Sequence, residues 1–325
     1  MYKTEQDFFG VYQDVLRGYV QYKRALGFDV GWRSIYQLLE LNRFLDSYQN
    51  DSVVLTEDMV NAFVHRKENV STKYLNMSEC VVRQFGLFLR NQGYSNIFIY
   101  PENHVRVTTD FVPYIFSIEQ ICKIFEVTDH LKSRPQVPHY PLFFQVLLRL
   151  LYCTGLRINE ALGLKVENVD FRNNLLIVLN GKENVSRLVP FNDDLREWLL
   201  RYQSEALSAD GTYFFESPRK GKRARGAVNK IFQEVILPSA GIDRKPDNTG
   251  PRIHDLRHTF ACHALDKMVR SGMDPFCALP YLSTYLGHKG IESTEKYLRL
   301  TADHFSNIID AGHYIYEESV GESDD

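Results

Sequence analysis

RIHDLRHTFA, residues 252–261, and YLGHKGIESTEKYLRL, residues 285–300, frame the stretch on which the reading of this chain turns. An apolar, proline-containing segment joins them. His254 and Arg257 stand three apart at a helix start and so share one face. A guanidinium beside an imidazole calls for an anion or an acid as partner. His288 follows Leu286-Gly287, where glycine ends a helix. Ser293 or Thr294 then opens a short helix that can show the Tyr297 hydroxyl to the His288 side. Taken singly, each residue has an ordinary explanation: a core histidine, a surface ion pair, a packed ring.

Outward from this stretch, 325 residues suit two domains, each able to bury a core. With 44% hydrophobic and 24% charged residues, the composition is that of a soluble globular protein. No run of about 18 apolar residues is present. MYKTEQDFFG lacks the basic, apolar and small-residue order of a signal peptide, so a cytoplasmic location is expected. The five cysteines are scattered without a CxxC pair, which predicts reduced, mostly buried thiols. The net charge of −3 argues against a nucleic-acid partner, but residues 310–325 hold six acids and no Lys or Arg. Without them 38 basic residues face 35 acidic ones, and binding depends on where the positive charge lies.

Periodicity predicts helices over 5–26, 31–48, 56–67 and 72–91, with Thr56 and Ser71 as caps. These make residues 1–105 an all-helical domain whose Tyr/Phe stripe is core rather than a base-stacking platform. Residues 106–116 read as a linker ended by Pro113. Residues 117–312 form a second domain, and 313–325 an acidic, disordered tail. Within 117–312, Ser117 starts a helix, 142–153 is apolar enough to be a buried one, and Arg157–Leu164 begins another turn. LLIVLN (175–180) and SRLVPF (186–191) flank GKENV as a β-hairpin. RKGKRARG (219–226) reads as a mobile basic loop with Arg219, Lys220, Lys222, Arg223 and Arg225 as candidate DNA contacts. A solvated turn explains it equally well. The expected fold is thus mostly α with one small β-hairpin, an α+β chain.

The C-terminal stretch resembles the tyrosine recombinase (phage integrase) family, in which H-x-x-R precedes L-G-H and a tyrosine follows nine residues later. Here these are His254–Arg257, Leu286–His288 and Tyr297. LLYCTGLRINEALGL (150–164) is similar to the family's T-G-L-R-x-x-E-L segment, which places its first arginine at Arg157. GKENVSRLVPF resembles the hairpin G-K-x-x-K-x-R-x-V-P, which places its lysine at Lys182. All six positions of the Arg-Lys-His-Arg-His-Tyr set are filled in order. Two departures stand out: the second hairpin lysine is Val185, and the interval from Arg257 to His288 is longer than in compact Xer-like members. The added MDPFCALPYLSTY resembles transposon-encoded relatives.

The resemblance implies a helical core-binding domain and a catalytic domain closing as a C-shaped clamp on double-stranded DNA carrying specific sites. It implies four protomers on two sites joined through the helix after Tyr297, with accessory proteins possible in some systems, and no metal, nucleotide or membrane. Tyr297 would attack phosphorus to give a 3′-phosphotyrosyl link and a free 5′-hydroxyl. Arg157 and Arg257 would clamp the non-bridging oxygens, each worth roughly 3–4 kcal/mol. By the family's pattern His254 is a base candidate, His288 bonds the phosphate and Lys182 protonates the leaving oxygen. His258 and Glu160, which recur beside these motifs, are assigned to orientation and packing. The expected activity is integration, excision or transposition of a mobile element. The alternatives are Xer-like multimer resolution, a type IB topoisomerase or a DNA-binding module without catalysis.

Overall fold

The computed structural model describes residues 4–28, 30–102, 112–135, 137, 139–179, 186–207, 210–243, 250–288, 290 and 292–304. By compactness the chain divides into two units, 1–110 and 111–325.

The first unit holds α1 (Gln13–Ala25), α2 (Trp32–Asp46), α3 (Glu57–Val64) and α4 (Thr72–Asn91). Thr56 and Ser71 cap α3 and α4, their hydroxyls accepting from Met59 and Tyr74 N–H. The single helix expected over 5–26 is instead a short 3₁₀ turn (Glu5–Asp7), a break, and α1. The break has a local cause. Gly10 sits at φ +68°, and the fully buried Asn42 brackets the Phe9 backbone, accepting from its N–H at 2.9 Å and donating to its carbonyl at 3.0 Å. Phe9's polar groups thereby find partners without a helical ladder. Of the aromatic stripe, Phe8, Tyr12 and Tyr19 are core, whereas Phe9 and Tyr22 are exposed.

In the second unit, Ile115 and Phe116 are already buried, and Phe116 N–H donates to Thr259 Oγ1 at 3.0 Å. The end of the expected linker therefore belongs to this unit's packing. Helix α5 (Ile118–Asp129) starts in a capping box of Ser117 and Gln120. Helix α6 (Tyr140–Thr154) is buried on nearly every side and ends at Gly155, followed by the short α7 (Ile158–Leu162). The expected hairpin is present as β2 (Leu175–Val178) and β3 (Arg187–Pro190), with Leu176 opposite Val189. A third strand, β1 (Val169–Asp170), pairs antiparallel with β2. Two residues are too few to show a period-2 signal, so the sequence did not reveal it. Helix α8 (Asp193–Ala206) follows, capped by Asn192.

The basic stretch 219–226 is a folded turn, not a free loop. Glu216 bridges to Lys222, Ser217 N–H donates to the Gly221 carbonyl, and Gly221 takes φ +82°. Beyond it the chain runs as α9 (Arg225–Ile231), a π-turn (Phe232–Ile236) and the short α10 (Leu237–Ser239). Helices α11 (Asp255–Arg270), α12 (Pro275–Leu286) and α13 (Glu292–His304) complete the unit around Cys262, Leu265, Leu282, Tyr297 and Leu300. The helix expected to open at Ser293 or Thr294 is present as α13, 13 residues long and starting at Glu292. Contrary to the expectation of buried thiols, only Cys262 is buried among the five cysteines. No helix among the described residues is long and apolar enough to cross a membrane.

Candidate active site

The site begins where α6 stops. Gly155 turns the chain at φ +60°, and a Cβ there would run into the Phe260 ring. The turn delivers Arg157 to the N-cap position of α7, with Glu160 one turn on. Glu160 accepts from the Arg157 backbone N–H and from its guanidinium, both at 2.9 Å. Arg187, on β3, forks onto the same carboxylate at 3.2 and 2.8 Å. Burial would push this carboxyl up, but the Arg187 bonds and charge, joined by Arg157, outweigh it and hold Glu160 at about 2.

Helix α11 supplies His254 at its N-cap position and Arg257 and His258 in its first turn. Arg257 is 2% exposed. One of its terminal nitrogens donates to the Gly155 carbonyl at 2.7 Å; the other donates to the Leu286 carbonyl at 2.8 Å and meets His288 Nε2 at 3.1 Å. One residue thus ties the α6–α7 turn to the end of α12. Burial, then the nearby Arg157 charge, lower Arg257 to about 10.

Gly287 ends α12 at φ +67°, and its missing Cβ leaves room for the Arg187 stem, 2.9 Å from where that atom would stand. His288 follows, with Nδ1 2.8 Å from Thr294 Oγ1. A guanidinium only donates, so His288 Nε2 accepts from Arg257 and the ring proton sits on Nδ1, donated to Thr294. Three residues along α13, Tyr297 stacks on His288 with ring centroids 6.5 Å apart and 13° between planes. Its hydroxyl lies 3.0 Å from His258 Nδ1. His258 in turn meets the His254 ring edge-on at 4.9 Å. The hydroxyl's nearest imidazole is therefore His258, one helical turn beyond His254.

Five of the six residues picked out in the sequence are thus gathered here: Arg157, His254, Arg257, His288 and Tyr297. Lys182 lies outside the described residues. Sequence reasoning left Arg187 without a role and gave Thr294 only that of a candidate helix start. Arg187 fills the arginine place of the hairpin pattern, and Thr294 stands three residues before Tyr297 on the same helical face, so both could have been suspected. Among the basic residues of 219–226, the Lys222 ammonium donates to the Asn159 carbonyl at 3.0 Å, and Arg223 lies over the Phe143 ring at 4.1 Å. Both are anchored to the fold, Arg223 half-buried and Lys222 exposed like Arg219, Lys220 and Arg225.

The imidazoles share one electrostatic fate. Burial first, then Arg257 and other cations, lower His254 to about 4. Burial and the Lys296 charge bring His258 to about 2, and burial with Arg257 brings His288 to about 4. Each is therefore neutral in the folded chain where the unfolded chain, with a value near 6.5, binds a proton. The unfolded state holds more protons between 6.5 and about 4, so stability falls as pH falls through that window. Urea unfolding followed from about pH 7 to about pH 5 should show uptake approaching three protons; a flat stability would refute it.

Thr294→Val tests the His288 tautomer. It removes the Nδ1–H acceptor, should cost about 1 kcal/mol of stability, and should abolish the slowly exchanging Nδ1–H proton signal of His288 in NMR spectra. A persistent Nδ1–H signal would count against it.

Residues 119–304 match the phage integrase family. An integrase/recombinase of Sinorhizobium fredii is 28% identical over 294 residues, 88% of this chain and 92% of its own length. Tyrosine recombinase XerC of Oceanobacillus iheyensis is 27% identical over 254 residues, 76% of each chain. Among solved structures, XerH site-specific recombinase bound to difH substrate has a TM-score of 0.60 at 19% identity, covering 89% of this chain and 80% of that one. The Tn1549 transposon integrase in complex with transposon right end DNA has a TM-score of 0.56 at 19% identity, covering 87% and 94%. Both structures share the fold of this chain.

Proposed function

The chain belongs to the phage integrase family of tyrosine recombinases, enzymes of DNA strand exchange, and on that premise we propose that it cleaves and rejoins duplex DNA with Tyr297 as nucleophile. One observation supports this above the others. Arg157 and Arg257 arrive from separate elements close enough for the charge of one to lower the other, and the nearest carboxylate, Glu160, is already engaged by Arg187. A pair of guanidiniums held in this way needs an anion, and a phosphodiester has the matching oxygens.

On this reading Arg157 and Arg257 take the two non-bridging oxygens of the scissile phosphate. His288 rotates its Nε2 from Arg257 to the phosphate and must then carry a proton there. Tyr297 Oη bonds to phosphorus while the bond from phosphorus to the 5′-oxygen breaks; Lys182 gives that oxygen its proton. The phosphotyrosyl link keeps the bond energy, so an incoming 5′-hydroxyl reverses the step and restores Tyr297.

The buried pose is a resting one. Tyr297 is 1% exposed, and burial, partly offset by Arg257, pushes its phenol up to about 12. Attack therefore requires α13 to bring the hydroxyl to the arginine-bound phosphate, with His258 or His254 receiving the proton as it leaves. Duplex DNA with specific sites is the substrate, and four protomers on two sites the working assembly, with Arg219, Lys220 and Arg225 as outer backbone contacts. The longer interval from Arg257 to His288, which holds α12, supports a mobile element as the setting over Xer-like multimer resolution.

A duplex nicked just 3′ of the cleavage position traps the covalent joint, because the short leaving strand diffuses away. The wild-type chain should form a protein–DNA adduct at defined positions, and mapping them gives site and crossover length together. No adduct on any cognate end would leave a DNA-binding module; adducts at random positions would indicate a topoisomerase.

A further inference from the structure

The hairpin arginine is used by none of the steps above, yet it is among the most heavily engaged side chains of the site. The Arg187 side chain is 8% exposed and that of Glu160 6%. Its Nε donates to the Tyr285 carbonyl at 3.0 Å, and its two terminal nitrogens fork onto Glu160. The stem passes through the space left by Gly287, next to His288. Glu160 spends its remaining capacity on Arg157, through both its backbone N–H and its guanidinium. Arg187 therefore touches three parts at once: the carboxylate that aims Arg157, the turn that presents His288, and the strand whose continuation carries Lys182.

We infer that Arg187 is a positioning residue: through Glu160 it holds Arg157 at the phosphate, and through Tyr285 and Gly287 it fixes the hairpin to the His288 turn. The inference rests on the strand-exchange reading above. The alternative, a core ion pair serving stability alone, has a different signature. Arg187 directs its nitrogens inward, so its loss should leave affinity for DNA nearly intact and slow the chemical step. A bidentate fork is needed because a single ammonium cannot hold both carboxylate oxygens and the Tyr285 carbonyl.

The test compares the full-length wild type with Arg187→Met, Arg187→Lys, Glu160→Gln and the Glu160→Gln/Arg187→Met double variant on the nicked duplex. Affinity and single-turnover adduct formation are measured separately. Arg187→Met should bind within about threefold of wild type and cleave about 10²-fold more slowly, with Arg187→Lys intermediate. Because Arg187 acts on Arg157 through Glu160, the double variant should be no slower than the worse single one; losses that multiply would overturn the inference. If Arg187→Met does not fold, Glu160→Gln decides: wild-type cleavage by that variant would equally overturn it. Absence of adduct in the wild type would instead sink the strand-exchange reading, whereas wild-type adduct with unimpaired Arg187 variants would sink only this one.

Discussion

Tyr297→Phe is expected to abolish the covalent protein–DNA joint altogether while leaving the fold and DNA affinity close to wild type. The substitution removes the oxygen that would become bonded to phosphorus, and no other tyrosine occupies its place: its ring is stacked on His288 and its hydroxyl bonded to His258. The ring itself supplies the packing in the α11–α13 cluster, and phenylalanine keeps that ring. What the fold loses is one hydrogen bond, leaving His258 Nδ1 without its partner at about 1–2 kcal/mol. Gel electrophoresis after denaturation reads the adduct directly. An adduct formed by Tyr297→Phe would move the nucleophile elsewhere and end the present assignment.

Arg257→Lys carries the second large effect, because it strikes chemistry and architecture together. The guanidinium reaches the Gly155 carbonyl, the Leu286 carbonyl and His288 at once, which an ammonium cannot do. Cleavage should fall about 10²–10³-fold, the usual loss when a fixed donor to a developing oxyanion is removed. Stability should also fall, by about 1–3 kcal/mol for a buried carbonyl left without its donor. Arg157→Lys separates the two contributions. Among the described residues Arg157 donates to Glu160, three residues on, and bridges no distant elements, so its loss should slow cleavage comparably with a smaller drop in melting temperature. Equal destabilisation by the two lysine variants would contradict the bridging role.

Helix positions were legible wherever burial is one-sided and capped. Thr56, Ser71 and Ser117 announced their helices, and each hydroxyl accepts the backbone N–H expected of it. The reading failed where the decisive contact is remote in sequence. Asn42 interrupts the first helix from 33 residues away, and β1 is fixed by its pairing with β2. Lys222 and Arg223 read as free basic charge because their partners, the Asn159 carbonyl and the Phe143 ring, belong to other segments.

For the site, the sequence alone offered His254, Arg257, His288 and Tyr297 at spacings that packing does not require, and its resemblance to the phage integrase family added Arg157 and Lys182. That much is local, since motif spacing and helical period reside in the chain itself. Only the tertiary structure decided who touches whom. It assigned His258 to the Tyr297 hydroxyl, put the His288 proton on Nδ1, buried the Tyr297 side chain, and committed Arg187 to Glu160. The physical reason is that hydrogen-bond partners and desolvation arise from groups far apart in the chain, as Arg257 and Gly155 are at 102 residues. No periodicity within a single segment records them.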